Sequence, residues 1–82
     1  MEAMFPVGSW VRIATTAELI RFRAEWRGAY PVEDWQMQFA SQDACIRDHA
    51  DRPDGAVVYR LREYSGVWHH SCLRALLRAP PA

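Results

Sequence analysis

The stretch Asp54-Gly55-Ala56-Val57-Val58-Tyr59-Arg60-Leu61-Arg62-Glu63-Tyr64-Ser65-Gly66-Val67-Trp68-His69-His70-Ser71-Cys72-Leu73 decides the fold. From Ala56 to Tyr64 the side chains alternate. Val57, Tyr59 and Leu61 fall on one face of an extended chain, and Val58, Arg60 and Arg62 on the other. Ser65-Gly66 fits a two-residue hairpin turn, and Val67 to His70 reads as the returning strand. Ser71 to Leu77 reads as a closing helical turn with Ser71 as its N-cap. Pro80 and Pro81 then end the chain in a frayed tail over 79–82. Two strands closed by a tight turn point to a small β-barrel, in which closure removes exposed edges.

The same alternation appears upstream. Val7 to Ile13 reads as a strand after a turn at Gly8, with Val11 and Ile13 on one side and Trp10 and Arg12 on the other. Thr15 and Glu18 have capping-box spacing, and Leu19, Phe22 and Trp26 follow at i, i+3 and i+7. The spacing predicts a helix over 15–27 with Gly28 as its C′ residue. Ala29-Tyr30-Pro31 is a connector. Val32 to Ala40 reads as a second, shorter helix, with Val32, Trp35 or Gln36, and Phe39 at helical spacing. Ala44 to Ala50 reads as a strand, and Asp51-Arg52-Pro53-Asp54-Gly55 as a turn.

Length and composition bound the function. Eighty-two residues make one domain with a small core, and half of them are hydrophobic, which favours folding over disorder. Four Trp, three Tyr and three Phe are an efficient filling for so small a core. Ten Arg balance five Asp and five Glu, so the formal charge is zero. A one-signed field, as in a basic nucleic-acid clamp or an acidic DNA mimic, is therefore absent. The N-terminal residues lack the basic and apolar regions of a signal peptide, and no apolar run reaches a membrane span, so a cytoplasmic protein is expected.

Three short motifs carry a resemblance. They are Val7-Gly8-Ser9-Trp10-Val11-Arg12-Ile13, Trp35-Gln36-Met37-Gln38-Phe39, and Gly66-Val67-Trp68-His69-His70-Ser71-Cys72-Leu73. Together they resemble the small SH3-like barrel proteins of bacterial, prophage and phage genomes. That pattern has a G-x-x-V-R-I strand, a helical insertion, a Met-x-x-aromatic segment and a final W-x-x-x-x-Leu element. It usually carries a Gly shortly after the Met-x-x-aromatic segment, where Ser41-Gln42-Asp43 stands here. The resemblance implies an α+β, mainly β fold: one SH3-like barrel of about four strands over 1–82, with a helical insertion after strand one. It also implies action by binding, with no cofactor. Some small phage proteins of this size inhibit host defence complexes by covering a protein surface.

The residues offer four chemistries. Cys45 and His49, with His69, His70 and Cys72, supply Cys2His2-type ligands. On a strand, however, residues 45 and 49 lie roughly 13 Å apart, too far for one tetrahedral ion. Cys72 near His69 and His70 suggests a nucleophile, but a barrel of this size has little room for a cleft. Asp48, Asp51 and Asp54 flank a turn, where Asp is common, and do not match an EF-hand loop. The fourth is an Arg-aromatic face of Trp10, Arg12, Val58, Arg60, Arg62, Tyr64, Trp68 and His70. Trp, Tyr and Arg dominate protein-binding hot spots, whereas Arg with stacked aromatics also binds single-stranded nucleic acid. Helix coverage would instead make Trp10 and Trp68 core. The reading adopted is a non-enzymatic protein-binding module using Tyr30, Trp35, Arg60, Arg62, Tyr64, Trp68 and His70. The alternatives are a nucleic-acid-binding module and a zinc-binding or Cys-dependent protein.

Overall fold

Alternation in the first strand is realised as β1 (Trp10–Ile13), whose Val11 and Ile13 are buried while Arg12 is exposed. The computed structural model describes residues 5–28, 30–53 and 55–76. After β1 come α1 (Thr16–Glu25), a 3-10 helix (Asp34–Phe39), β2 (Asp43–Asp51), β3 (Val57–Leu61), β4 (Trp68–His69), a 3-10 turn (His70–Cys72) and β5 (Leu73–Ala75). The expected frayed tail at 79–82 lies outside the described residues.

The strands form one antiparallel sheet in the order β4-β3-β2-β1-β5. β2 serves two partners. Residues 43–45 pair with β1 and residues 46–51 with β3. Between those halves the register steps from Ile46↔Leu61 to Asp48↔Arg60, so Arg47 is an extra residue, a β-bulge. The bulge has a consequence for faces. Strict alternation would place Asp48 beside Ile46, in the core. The inserted Arg47 turns Asp48 outward, where it pairs with Arg60, while Ile46 and Leu61 stay buried.

The core gathers Val11, Ile13, Leu19, Ile46, Tyr59, Leu61, Trp68 and Leu73. α1 starts as its sequence predicts. The Thr15 hydroxyl accepts from the Glu18 N–H, and the Glu18 carboxylate accepts from the Thr15 N–H. The helix ends earlier than expected, with Trp26 as an extended C-cap, so Gly28 is not the C′ residue. Gly28 is instead where the Trp26 ring folds back: a Cβ there would come within 2.6 Å of Trp26 Cζ2.

Three further expectations are corrected. The β3–β4 connection is not a two-residue turn. Residues 62–67 form it, because β3 ends at Leu61 and β4 starts at Trp68. The closing helical turn is present but shorter than expected, His70–Cys72, and its N-cap is His69 rather than Ser71. It stops at Cys72, and Leu73–Ala75 becomes a fifth strand because β1 offers an unpaired edge. The chain's end thus returns beside its first strand. Finally, the sheet is open: β4 and β5 are its two edges, and no pairing joins them among the described residues.

Candidate functional site

The segment from the end of α1 through the 3-10 helix Asp34–Phe39 presents most of the exposed aromatic surface. Tyr30 is 47% exposed and Trp35 39%. Tyr30 has a left-handed backbone, φ 58°, uncommon for a residue with a large side chain. Its carbonyl oxygen lies 3.0 Å from Nε2 of His69, which is 3% exposed. His69 is enclosed by the rings of Phe22 and Trp26, with centroids at 5.1 and 4.4 Å. The apolar stripe of α1 therefore ends on the residue that anchors Tyr30. Across from it, the Arg52 guanidinium lies over the Tyr30 ring, 4.8 Å from its centroid, a cation–π geometry.

Trp35 is fixed by different means. Its Nε1–H donates to the Glu33 carboxylate at 2.6 Å. Its ring lies against Gly66, where a Cβ would come within 2.5 Å of Cη2. Beneath it, the buried Gln36 closes a capping box with Glu33 and donates to the Val67 carbonyl at 3.1 Å.

Two clefts meet at Tyr30 and Val67. The larger, about 510 Å³, is lined by Tyr30, Asp48, Arg52, Tyr59, Arg60 and Val67 among others. The smaller, about 350 Å³, is lined by Tyr30, Pro31, Glu33, Trp35, Gln36, Gly66 and Val67. In the larger cleft Arg60 grips Asp48 through two bonds of 2.8 and 2.6 Å. That fork, the nearest source of positive charge, holds the Asp48 carboxyl below the usual carboxylate range.

Of the residues singled out from the sequence, Tyr30, Trp35 and Arg60 line this double cleft. The others do not. Arg62 is exposed but lines neither cleft. Tyr64 is half-buried, stacked on Phe39 at 4.4 Å. His70 stacks on Phe5 at 4.5 Å, and its Nδ1 bonds the Tyr59 hydroxyl at 3.0 Å. Trp68 is 1% exposed and is a core residue, not part of an exposed face. The reason is pairing parity: Trp68 stands opposite Tyr59, and His69 opposite Val58. Residues that pair share a face, so Trp68 follows Tyr59 inward.

Sequence reasoning did not single out Arg52, Val67 or Glu33 for this site. Arg52 reads as part of a turn, and its contact with Tyr30 is long-range. The unusual Tyr30-Pro31 connector is the one local signal, since Pro31 fixes where the exposed ring enters the next element.

Cys45 and Cys72 are free, buried thiols. Burial pushes the Cys72 thiol up to about 12. Among the described residues no group of three or more His, Cys, Asp or Glu is placed to hold a metal ion, and no helix is long and apolar enough to cross a membrane. No protein-family model, curated protein or solved structure matches this chain.

Proposed function

We propose that the protein is a non-enzymatic module that binds another protein across the Tyr30–Val67 double cleft. One observation carries the reading. A tyrosine with exposed ring and strained backbone sits between two contiguous clefts, with Trp35 on one side and Arg60 on the other. Trp, Tyr and Arg are the side chains that most often carry interface energy. Strained backbone at a surface site is retained where the surrounding structure over-determines it, as His69 does here. The thiols argue in the same direction. A nucleophilic cysteine needs a lowered pKa and access, and Cys72 has neither.

The finer fold reading, a curled SH3-like barrel, is part of this proposal. It is supported by the bent, shared β2 and by the return of β5 beside β1. The motif resemblance supports a phage or mobile-element origin, a cytoplasmic setting, and a role in covering a surface of a host complex.

The test is affinity capture from nuclease-treated lysate with the protein and with Tyr30→Ala and Trp35→Ala variants of matched thermal stability. A discrete protein retained by the parent and lost with both variants supports the reading. Capture that disappears on nuclease treatment, or tight binding to single-stranded oligonucleotides with steep salt dependence, overturns it.

A further inference from the structure

The two clefts differ in charge. The larger sets Asp48 and Asp51 against Arg52 and Arg60. The smaller, among the described residues, is lined by one charged side chain, Glu33, and by no cationic one. Two of the four exposed large hydrophobics, Tyr30 and Trp35, line it as well. The face of an aromatic ring is negative, so the rings and the carboxylate attract the same kind of ligand, a cation. The parts are fixed in advance. The Trp35 Nε1–H donates to the Glu33 carboxylate at 2.6 Å, which ties ring and charge together. The Glu33 N–H donates to Oε1 of Gln36 at 2.9 Å, and the buried Gln36 is itself held by the Val67 carbonyl. Asp34, Asp43, Asp48 and Glu18 each hold an arginine, whereas Glu33 makes no ion pair with any described residue.

The geometry points to the smaller cleft as the receptor for a lysine side chain of the partner protein, its ammonium at the Glu33 carboxylate and its stem along the Trp35 ring. The inference rests on the protein-binding reading above and names the chemistry that enters one half of the double cleft. Tryptophan is the aromatic that attracts a cation best, and Tyr30 already lies under the Arg52 guanidinium, so Trp35 supplies the ring surface. Pro31 and Val67 give the four-carbon stem apolar neighbours while its head meets the carboxylate in water. Arginine fits less well. Its fork takes both oxygens of a carboxylate, and the indole already occupies Oε2 of Glu33. An ammonium needs one oxygen, and a quaternary ammonium has no N–H with which to use it. The chain contains no lysine, so a second copy of it cannot supply this side chain.

The test is NMR titration of the 15N-labelled protein at low salt with a blocked Gly-Lys-Gly peptide, reading the Trp35 indole N–H and the Tyr30 ring signals. The expected result is a saturable shift of both, at least about fivefold tighter than with the same peptide carrying acetyl-lysine. Gly-Arg-Gly should bind more weakly than Gly-Lys-Gly. Glu33→Gln keeps an oxygen for the indole N–H but removes the charge, and should abolish the difference between lysine and acetyl-lysine. Asp51→Asn, in the larger cleft, should leave that difference intact. Equal binding of the lysine and acetyl-lysine peptides at Trp35 would overturn the lysine site while leaving the protein-binding cleft standing. A tighter response to arginine or trimethyl-lysine, a preference that survives Glu33→Gln, or no saturable shift with the lysine peptide would overturn the inference outright.

Discussion

His69 Nε2 bonds the carbonyl oxygen of Tyr30 at 3.0 Å, so a buried strand residue holds an exposed loop residue in place. The bond joins the end of β4 to the connector after α1, while the Phe22 and Trp26 rings pack on the imidazole. Packing and anchoring can be separated. His69→Phe keeps a ring between Phe22 and Trp26 but removes the bond. A lost hydrogen bond costs about 1 kcal/mol. In a domain of this size that is a fall in Tm of about 4–8 °C. His69→Ala, which also loses the ring contacts, should fall further. An unchanged Tm for His69→Phe, with unchanged Tyr30 ring signals, would show that the bond does not hold the connector.

Gly66 has φ 98° and lies under Trp35. Gly66→Ala meets two obstacles at once: a backbone region that L-residues rarely adopt, and a Cβ within 2.5 Å of the indole. Chemical denaturation should show a loss of about 1–3 kcal/mol. Trp35→Ala in the same chain removes the clash but not the backbone strain. The double variant should therefore lose less than the sum of the single losses. Strict additivity would mean that Trp35 does not rest on Gly66.

The corrected placement of Trp68 makes a sharp contrast with Arg62. Trp68 is enclosed, and Trp68→Ala should cost about 3–5 kcal/mol, enough to unfold much of a domain with so small a core. Arg62 is exposed and makes no ion pair among the described residues. Arg62→Ala should change stability by less than about 0.5 kcal/mol. Comparable urea midpoints for the two variants would contradict the burial of Trp68.

Local chemistry made much of this fold legible. Thr15 and Glu18 mark the start of α1 because a capping box is written in four consecutive residues. The alternation of Tyr59, Arg60 and Leu61 marks β3 for the same reason. What stayed hidden depends on partners distant in sequence. Leu73, Leu76 and Leu77 have helical spacing, and Leu73–Ala75 is a strand only because β1 waits beside it. The side of Trp68 follows from its register against Tyr59, which no strand shows alone. Tyr30 and Trp35 stand out in the sequence, the first in the connector 29–31 and the second in the short helix expected over 32–40. Arg52 was not, because its significance lies in the ring it covers.

Glu18 couples the helix start to β5. Its carboxylate accepts from the Thr15 N–H, from Arg74 at 2.7 Å and from the Thr15 hydroxyl, and these hold its pKa at about 2 against an ordinary 4.5. A pKa lowered by folding stabilises the fold above the unfolded value. That contribution is lost as pH falls from about 4.5 towards about 2. Glu18→Gln should thus melt below the parent at neutral pH, and the gap should close in acid. Asp43 and Asp48, lowered by Arg12 and Arg60, steepen the acid transition of both proteins alike. A gap independent of pH would assign the effect of Glu18→Gln to something other than its charge.

Ser41 and Tyr30 share a backbone conformation and differ in everything else. Both have positive φ, 66° and 58°. Ser41 follows the 3-10 helix, its N–H shared by the carbonyls of Ile13 and Ala14 at 3.1 Å each. Among the described residues no side-chain bond of Ser41 offsets its strain, so Ser41→Gly should stabilise by about 1 kcal/mol, since glycine adopts this region without a Cβ penalty. Tyr30→Gly gains the same relief but loses the ring beneath Arg52 and the wall shared by both clefts. Its stability should stay within about 1 kcal/mol of the parent's, while capture of a protein partner from lysate should disappear. A large loss of stability in Tyr30→Gly would identify the ring as a structural plug. Near-parent stability with binding abolished would mean that the strain at Tyr30 is retained for the partner rather than for the fold.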